Sequence, residues 1–255
     1  MKTAAIAMPG IAWGSYPERD APRPTWLAQC LKRLFAVQNL RRGNGYSRFA
    51  AQVNAREGYA RGLDAFAFSA AVRDVKAQLA KYGFVEKHLI EAFALVRDAT
   101  RRALGITPYE TQLIAARTML DNRLVEMATG EGKTLAALLT AATAGLSGVP
   151  IHVITSNDYL VQRDAENLKP VYAALGLSVG FLTQASTPEQ RRAAYACDIT
   201  YCTAKELVFD YLRDRLVFGQ RRDDLQRRVA ALDDASAAAP KPLLRGLCMA
   251  LVDEA

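Results

Sequence analysis

Across residues 47–104 the apolar positions recur at helical intervals. In "LIEAFALVRDATRRAL" Leu89, Phe93, Val96, Thr100 and Leu104 fall on one stripe, the spacing of a helix with a single buried face. Helices are expected throughout this stretch, closed by Gly105 and Pro108. Glycine accepts the left-handed backbone at a helix end, and proline cannot continue a helix. After residue 105 the pattern changes to short apolar runs separated by helical stretches. Strands are expected at 124–127, 151–155, 178–181, 199–202 and 247–252, with helices starting near Lys133, Asp158, Pro188 and Ala204. Repeated alternation of this kind predicts an α/β fold, a parallel sheet with flanking helices on both faces, preceded by an α-helical N-terminal segment. Thr203 and Glu206 have capping-box spacing, so the Thr203 hydroxyl and the Glu206 carboxylate are expected to satisfy the first amides of the helix they open.

Two stretches lack a period. Residues 1–46 form a weakly determined lead-in whose one sustained pattern is a helix over 26–37, and "DDASAAAPKP" is of low complexity and reads as a surface excursion. In "QRRDDLQRRVAALDD" Asp223 faces Arg227 and Asp224 faces Arg228 at i,i+4 spacing, the pattern of a solvated, ion-paired helix.

Composition narrows the class. With 255 residues, 51% of them apolar, the chain has enough material for a sizeable core. Its apolar runs all fall well short of the roughly 20 residues needed to span a membrane. The apolar start "AAIAMPGIAWG" is short, broken by Pro9 and Gly10, and preceded by a single lysine, which argues against a signal peptide. Cys30, Cys197, Cys202 and Cys248 show no C-x-x-C pairing and are expected to be reduced, mostly buried thiols of a cytosolic protein. A net charge of +7 favours anionic partners, among which ATP, acidic lipid and nucleic acid all qualify.

The candidate chemistry begins at "EMATGEGKTLAALL". The pattern G-x-x-x-x-G-K-[ST] would place glycine where Met127 stands, but Thr129, Gly130, Glu131, Gly132, Lys133 and Thr134 keep the working part of a phosphate-binding loop. A turn that opens a helix aims backbone N–H groups at one anion, and the helix dipole adds positive character there. Lys133 would reach the β- and γ-phosphates of a nucleotide, and the Thr134 hydroxyl would ligate Mg²⁺. Later, "LCMALVDEA" reads as a strand ending in acids: Asp253 for the Mg²⁺ shell, and Glu254 to polarise the attacking water. A phosphate loop followed by Asp-Glu predicts a P-loop NTPase of RecA-like fold, shared by nucleic-acid helicases and protein-translocating motors.

The strings between these two motifs carry a resemblance. "EAFALVRDATRRALG", "QLIAARTMLDNRLVEMATGEGKTL", "NDYLVQRDAEN", "ACDITYCTAKELVFDYLRDR" and "LVDEA", in this order and spacing, resemble the SecA family, the ATPase motor of bacterial preprotein translocation, across residues 47–255. The resemblance implies ATP and Mg²⁺ as cofactors, with Lys133 and Glu254 in catalysis and Asp253 and Thr134 on the metal. It implies that Gln112 contacts the adenine edge beside the loop 106–109, whereas its position in a helix alone reads as solvated. It also implies that Asn157, Asp158 and Arg163 link the nucleotide site to motor movement; their plain reading is helix capping and surface pairing. Expected partners are a preprotein substrate and a membrane translocation channel, with acidic lipid a further one, for a cytoplasmic protein peripheral to the membrane. The absence of basic and aromatic alternation argues against nucleic acid. A helicase relative of superfamily 2 and a non-catalytic nucleotide-binding fragment are the competing readings.

Departures mark a divergent member. Cys202 stands where the family has glycine, Ala204 and Lys205 replace its polar pair, and 216–246 is longer than its pattern. The organisation expected is a lead-in over 1–46, a helical segment over 47–104 and a first motor domain over 105–255. That domain stops at the acidic motif, before the strand which, in the family, lies between the phosphate-loop strand and the acidic strand. The chain therefore reads as the N-terminal part of a longer motor, an ATPase as the full-length protein, and by itself is expected to bind ATP weakly and not to turn it over.

Overall fold

The computed structural model describes residues 43–218 and 242–253. The expected helix over 26–37, the paired charges at 223–228, most of the excursion before Pro242, Cys30 and Glu254 lie outside the described residues. The chain divides after Ser147 into two compact units.

The helical unit holds α1 (Gly43–Ala55), α2 (Glu57–Gly62), α3 (Ala65–Tyr82), α4 (Glu86–Leu104), α5 (Glu110–Leu120) and α6 (Lys133–Leu146). Asp64 starts α3 by accepting from the Ala67 amide at 2.7 Å, which satisfies one of the donors a helix start leaves open. Along α4 the predicted stripe is buried from Leu89 through Thr100. Gly105 ends the helix in the left-handed region, its amide bonded to the Arg101 carbonyl, as the sequence pattern requires. Helix α6 is lined by Ala, Thr and Leu and is buried almost all round; its small side chains let α4 and α5 pack closely against it.

The second unit is a four-stranded parallel sheet in the order β2-β3-β1-β4. Its elements are β1 (Ile151–Thr155), α7 (Asp158–Ala174), β2 (Val179–Phe181), α8 (Pro188–Tyr195), β3 (Ile199–Thr203), α9 (Ala204–Phe218) and β4 (Met249–Val252). Register decides the two faces, because successive side chains of a strand point opposite ways. Ile154 and Cys202, side by side in the register, join Leu182, Ala194, Tyr195 and Leu244 in one core. Val153 and Tyr201 look the other way, where the Tyr201 hydroxyl meets that of Tyr172 on α7 at 2.8 Å, fully buried. Gly180 is needed for close approach: a Cβ there would lie 2.7 Å from the Ala194 Cα, so only glycine lets α8 sit against β2.

This is the parallel α/β architecture the alternation predicted. Three details differ. Residues 124–127 form no strand: their side chains alternate between exposed and half-buried, and Leu124 is 89% exposed. The period of two was legible, but no described strand pairs with this segment, and a strand exists only through its ladder bonds. The capping box at α9 is half made. Thr203 Oγ1 accepts from the Glu206 amide at 3.3 Å, but the Glu206 carboxylate takes the Arg191 guanidinium at 2.6 Å instead, since a charge-assisted bond is stronger than one to a neutral amide. Of the three described cysteines, all free thiols, only Cys202 is buried; Cys197 is half-buried and Cys248 exposed. Among the described residues no helix is long and apolar enough to cross a membrane.

Candidate functional site

The loop before α6 owes its shape to two glycines. Gly130 and Gly132 have φ of +90° and +80°, values that side-chain-bearing residues rarely adopt. Nothing approaches the space where a Gly130 Cβ would stand, whereas a Gly132 Cβ would meet Gln112 Nε2 at 2.3 Å. Gly132 is therefore required twice, by its backbone and by its neighbour. It is also the N-cap of α6 and supplies no side-chain cap to that helix. The first amides of α6 are thus left to a solvent or ligand acceptor, with the helix dipole behind them. Lys133, the first residue of α6, is exposed, and Thr134 is half-buried beside it.

Gln112 is buried, at 3% exposure, which corrects the solvated position its helix pattern suggested. Its amide joins two segments: Nε2 donates to the Glu131 carbonyl at 2.7 Å, and Oε1 accepts from the Tyr109 amide at 2.9 Å. Glu131 folds its own carboxylate back onto the Ala128 amide at 3.0 Å. Thr129, Gly130, Glu131, Gly132, Lys133, Thr134 and Gln112 are thus brought together within the helical unit.

Asp253 belongs to the sheet unit. Its amide donates to the Ile154 carbonyl at 2.8 Å, extending the β1–β4 ladder by one bond. It lines a cleft of about 490 Å³ at the C-terminal ends of the strands, together with Asn157, Asp158, Gln184, Thr203 and Lys205. This is the side of a parallel sheet on which ligands bind in open α/β folds. Asn157 Oδ1 caps α7 by accepting from the Leu160 amide at 2.9 Å. Asp158 Oδ2 accepts from the Gln184 amide at 2.9 Å, and Arg163 pairs with Asp164 at 2.7 Å. Capping, the plain reading of Asn157, is thus made, while Arg163 pairs not with a surface acid but with the buried carboxylate of Asp164.

Each unit separately carries an oxygen donor of the type expected, Thr134 in the helical unit and Asp253 in the sheet unit. A threonine hydroxyl and one aspartate are hard oxygen ligands of the kind Mg²⁺ takes alongside phosphate and water. Among the described residues there is no cluster of three or more His, Cys, Asp or Glu side chains that would form an all-protein metal cage.

The profile of the SecA DEAD-like domain matches residues 31–255. The chain belongs to the SecA family. The parallel sheet with flanking helices accords with a DEAD-like, RecA-type α/β domain. Among SecA relatives, Protein translocase subunit SecA 2 of Bordetella avium (strain 197N) is 46% identical over 208 residues, 82% of this chain and 32% of the relative. Protein translocase subunit SecA 2 of Nitrosospira multiformis is 42% identical over 259 residues, 99% of this chain and 38% of the relative. Protein translocase subunit SecA of Stutzerimonas stutzeri (strain A1501) is 40% identical over 211 residues, 82% of this chain and 23% of the relative. The chain thus spans between about a quarter and two fifths of the length of these SecA proteins.

Sequence reasoning overlooked two arginines that build the surroundings. Arg191 is buried and ties α8 to Glu206 and Asp210 of α9. Its signal was the acidic spacing Glu206, Asp210, Asp214, four residues apart on one helix face. Arg97 binds Asn54, Glu57 and the Pro108 carbonyl. It stands four residues after Phe93, at the margin of the apolar stripe, where a charge needs partners.

Proposed function

We propose that this chain is the nucleotide-binding part of a SecA-type motor that uses ATP to move preproteins through a membrane channel from the cytoplasmic side. The observation that carries the reading is the start of α6: left-handed glycines at 130 and 132, no side-chain cap, and an exposed lysine at its first position. In this reading the amides of Gly130, Gly132, Lys133 and Thr134 cradle the phosphates, that of Glu131 being turned to the Ala128 carbonyl at 3.3 Å, and Lys133 offsets their charge. Gln112 presents its remaining N–H and lone pair to the adenine edge. Thr134 and Asp253 would hold Mg²⁺, and Glu254 would orient and deprotonate the attacking water. When bound, Mg²⁺ supplies positive charge beside the transferred phosphoryl oxygens. We assign 105–255 to the first motor domain and 47–104 to a helical segment before it. In this reading turnover, the preprotein and the channel are matters of the whole SecA-type protein, and the relatives are named protein translocase subunits.

The test is calorimetric titration of the 255-residue chain with ATP and ADP in the presence of Mg²⁺. Saturable binding is expected, weakened about ten- to a hundredfold by Lys133→Ala, the loss of one charge-assisted contact. A folded sample that binds neither nucleotide, or a Lys133→Ala variant that binds like the parent, would refute the reading. In the longer protein Glu254→Gln should keep nucleotide binding and lose turnover, because it keeps the shape of the side chain without its base.

A further inference from the structure

Helix α4 carries Arg97, whose side chain is only 12% exposed. Its Nη1 donates to Asn54 Oδ1 at 2.6 Å and to Glu57 Oε2 at 3.2 Å, so the guanidinium is anchored at the junction of α1 and α2. Its Nε donates to the Pro108 carbonyl at 2.9 Å. The N–H at the other end of that same peptide unit, on Tyr109, donates to Gln112 Oε1 at 2.9 Å. A peptide group is planar and turns as one body. Arg97 and Gln112 therefore hold opposite ends of a single rigid plate, and Gln112 passes the constraint on to the Glu131 carbonyl at 2.7 Å.

We propose that Arg97 is a positioning residue for the nucleotide site: by fixing the Pro108–Tyr109 peptide it sets the orientation of the Gln112 amide and, through it, of the phosphate loop. The proposal rests on the reading of residues 129–134 as that loop. Gln112 has only one way to satisfy both anchors, since Oε1 must accept and Nε2 must donate. If the peptide plate turns, the Tyr109 N–H leaves Oε1 and the amide is free to rotate about its last torsion. The loop 106–109 is then released first and the phosphate loop second. Replacing the guanidinium by an ammonium does not preserve the arrangement, because lysine has no planar fork to bridge Asn54 and Pro108 at once.

The experiment measures affinity of the 255-residue chain for ADP and for pyrophosphate, a ligand with phosphates and no base. Arg97→Met keeps the apolar stem. It is expected to weaken ADP about tenfold and pyrophosphate about threefold or less. In the Gln112→Ala background the same substitution should add almost nothing, because the two residues act in series. Should Arg97→Met fail to fold, Arg97→Lys carries the test and is expected to show the same preference for loss of ADP. Equal losses for both ligands, or losses that multiply in the double variant, would overturn the positioning role in favour of plain structural support. A folded variant with parental affinities would overturn it as well. A parent that binds neither ligand refutes the nucleotide reading itself, a result distinct from an unchanged variant of a parent that binds.

Discussion

Arg191 and Lys133 are both cations beside the start of a helix, and their surroundings are opposites. Arg191 has every arm occupied: Nε on the Ser186 carbonyl at 3.0 Å, Nη1 on Asp210 at 2.8 Å, and Nη2 on Glu206 at 2.6 Å and the Thr183 carbonyl at 3.0 Å. Its side chain is 4% exposed. Lys133 is exposed, at the head of a helix with no side-chain cap. A polar group that holds a fold must be satisfied within it, because an unpaired charge left in the interior is costly. A polar group meant for a ligand must be left open and kept in water until the ligand arrives. The sheet unit shows the first case, and residues 129–134, which we propose as a phosphate loop, would be the second, so substitutions in the two places should separate stability from binding.

The largest effect is expected at Arg191. Arg191→Met leaves Asp210, at 0% exposure, and Glu206, at 6%, buried without their main counter-charge. The loss should be about 3 to 5 kcal/mol, the usual cost of removing one partner of a buried pair, read as a shift in the denaturant midpoint. A change below about 1 kcal/mol would show that water reaches these acids and that the contrast with the loop is false.

His152 comes next. Burial holds its imidazole down to a pKa of about 4 from the ordinary 6.5, its hydrogen bond to the Met249 backbone opposing that shift and the Arg245 charge adding to it. In the unfolded chain the ring takes a proton near pH 6.5; in the folded unit it waits until about pH 4. Between those values the unfolded state binds more protons, so stability falls as pH is lowered through this window, by about 3 kcal/mol in all. Denaturant melts at pH 7 and pH 4.5 check this, and His152→Gln should remove that part of the slope. A parental slope in the variant would assign the acid sensitivity elsewhere.

Gly132→Ala tests the one point where the open loop meets an internal constraint. A methyl group there needs a backbone that alanine resists and displaces the Gln112 amide. The cost should be about 1 to 3 kcal/mol, and nucleotide affinity should fall with it. The smallest effect on stability is expected from Lys133→Ala, within about 0.5 kcal/mol as for an exposed residue free of structural partners, even though the same change is expected to remove most binding. A stability loss as large as that of Arg191→Met would erase the distinction between the two sites.

The fold was legible wherever local pattern and tertiary need coincide. Strand 151–155 and the helix starts at Lys133, Asp158, Pro188 and Ala204 stand where the pattern put them, because apolar runs, caps and proline at a first turn are properties of a few neighbouring residues. Residues 124–127 looked like a strand for the same reason and are not one here, since pairing depends on a neighbour distant in sequence. The loop 129–134 was readable because its glycines, lysine and threonine are contiguous. The buried place of Gln112, the grip of Arg97 on Pro108 and the Arg191 network join residues from 11 to 43 positions apart. Periodicity is blind at that range.

The acidic face of α9 bears on how the sheet unit assembles. Glu206, Asp210 and Asp214 recur every four residues, and all are buried. Arg191 of α8 receives the first two. Asp214 accepts the amides of Leu243 and Leu244, both at 2.8 Å, just before the chain enters β4. Within the helix Asp210 is relieved by Arg213 at 3.0 Å, while Glu206 and Asp214 take partners from outside it. Docking of α9 on β3 is therefore expected to be favoured by the arrival of α8 and of the segment leading to β4, which bring those partners. The core on this face of the sheet is then expected to close cooperatively, which amide protons of α9 and β3 exchanging together would show.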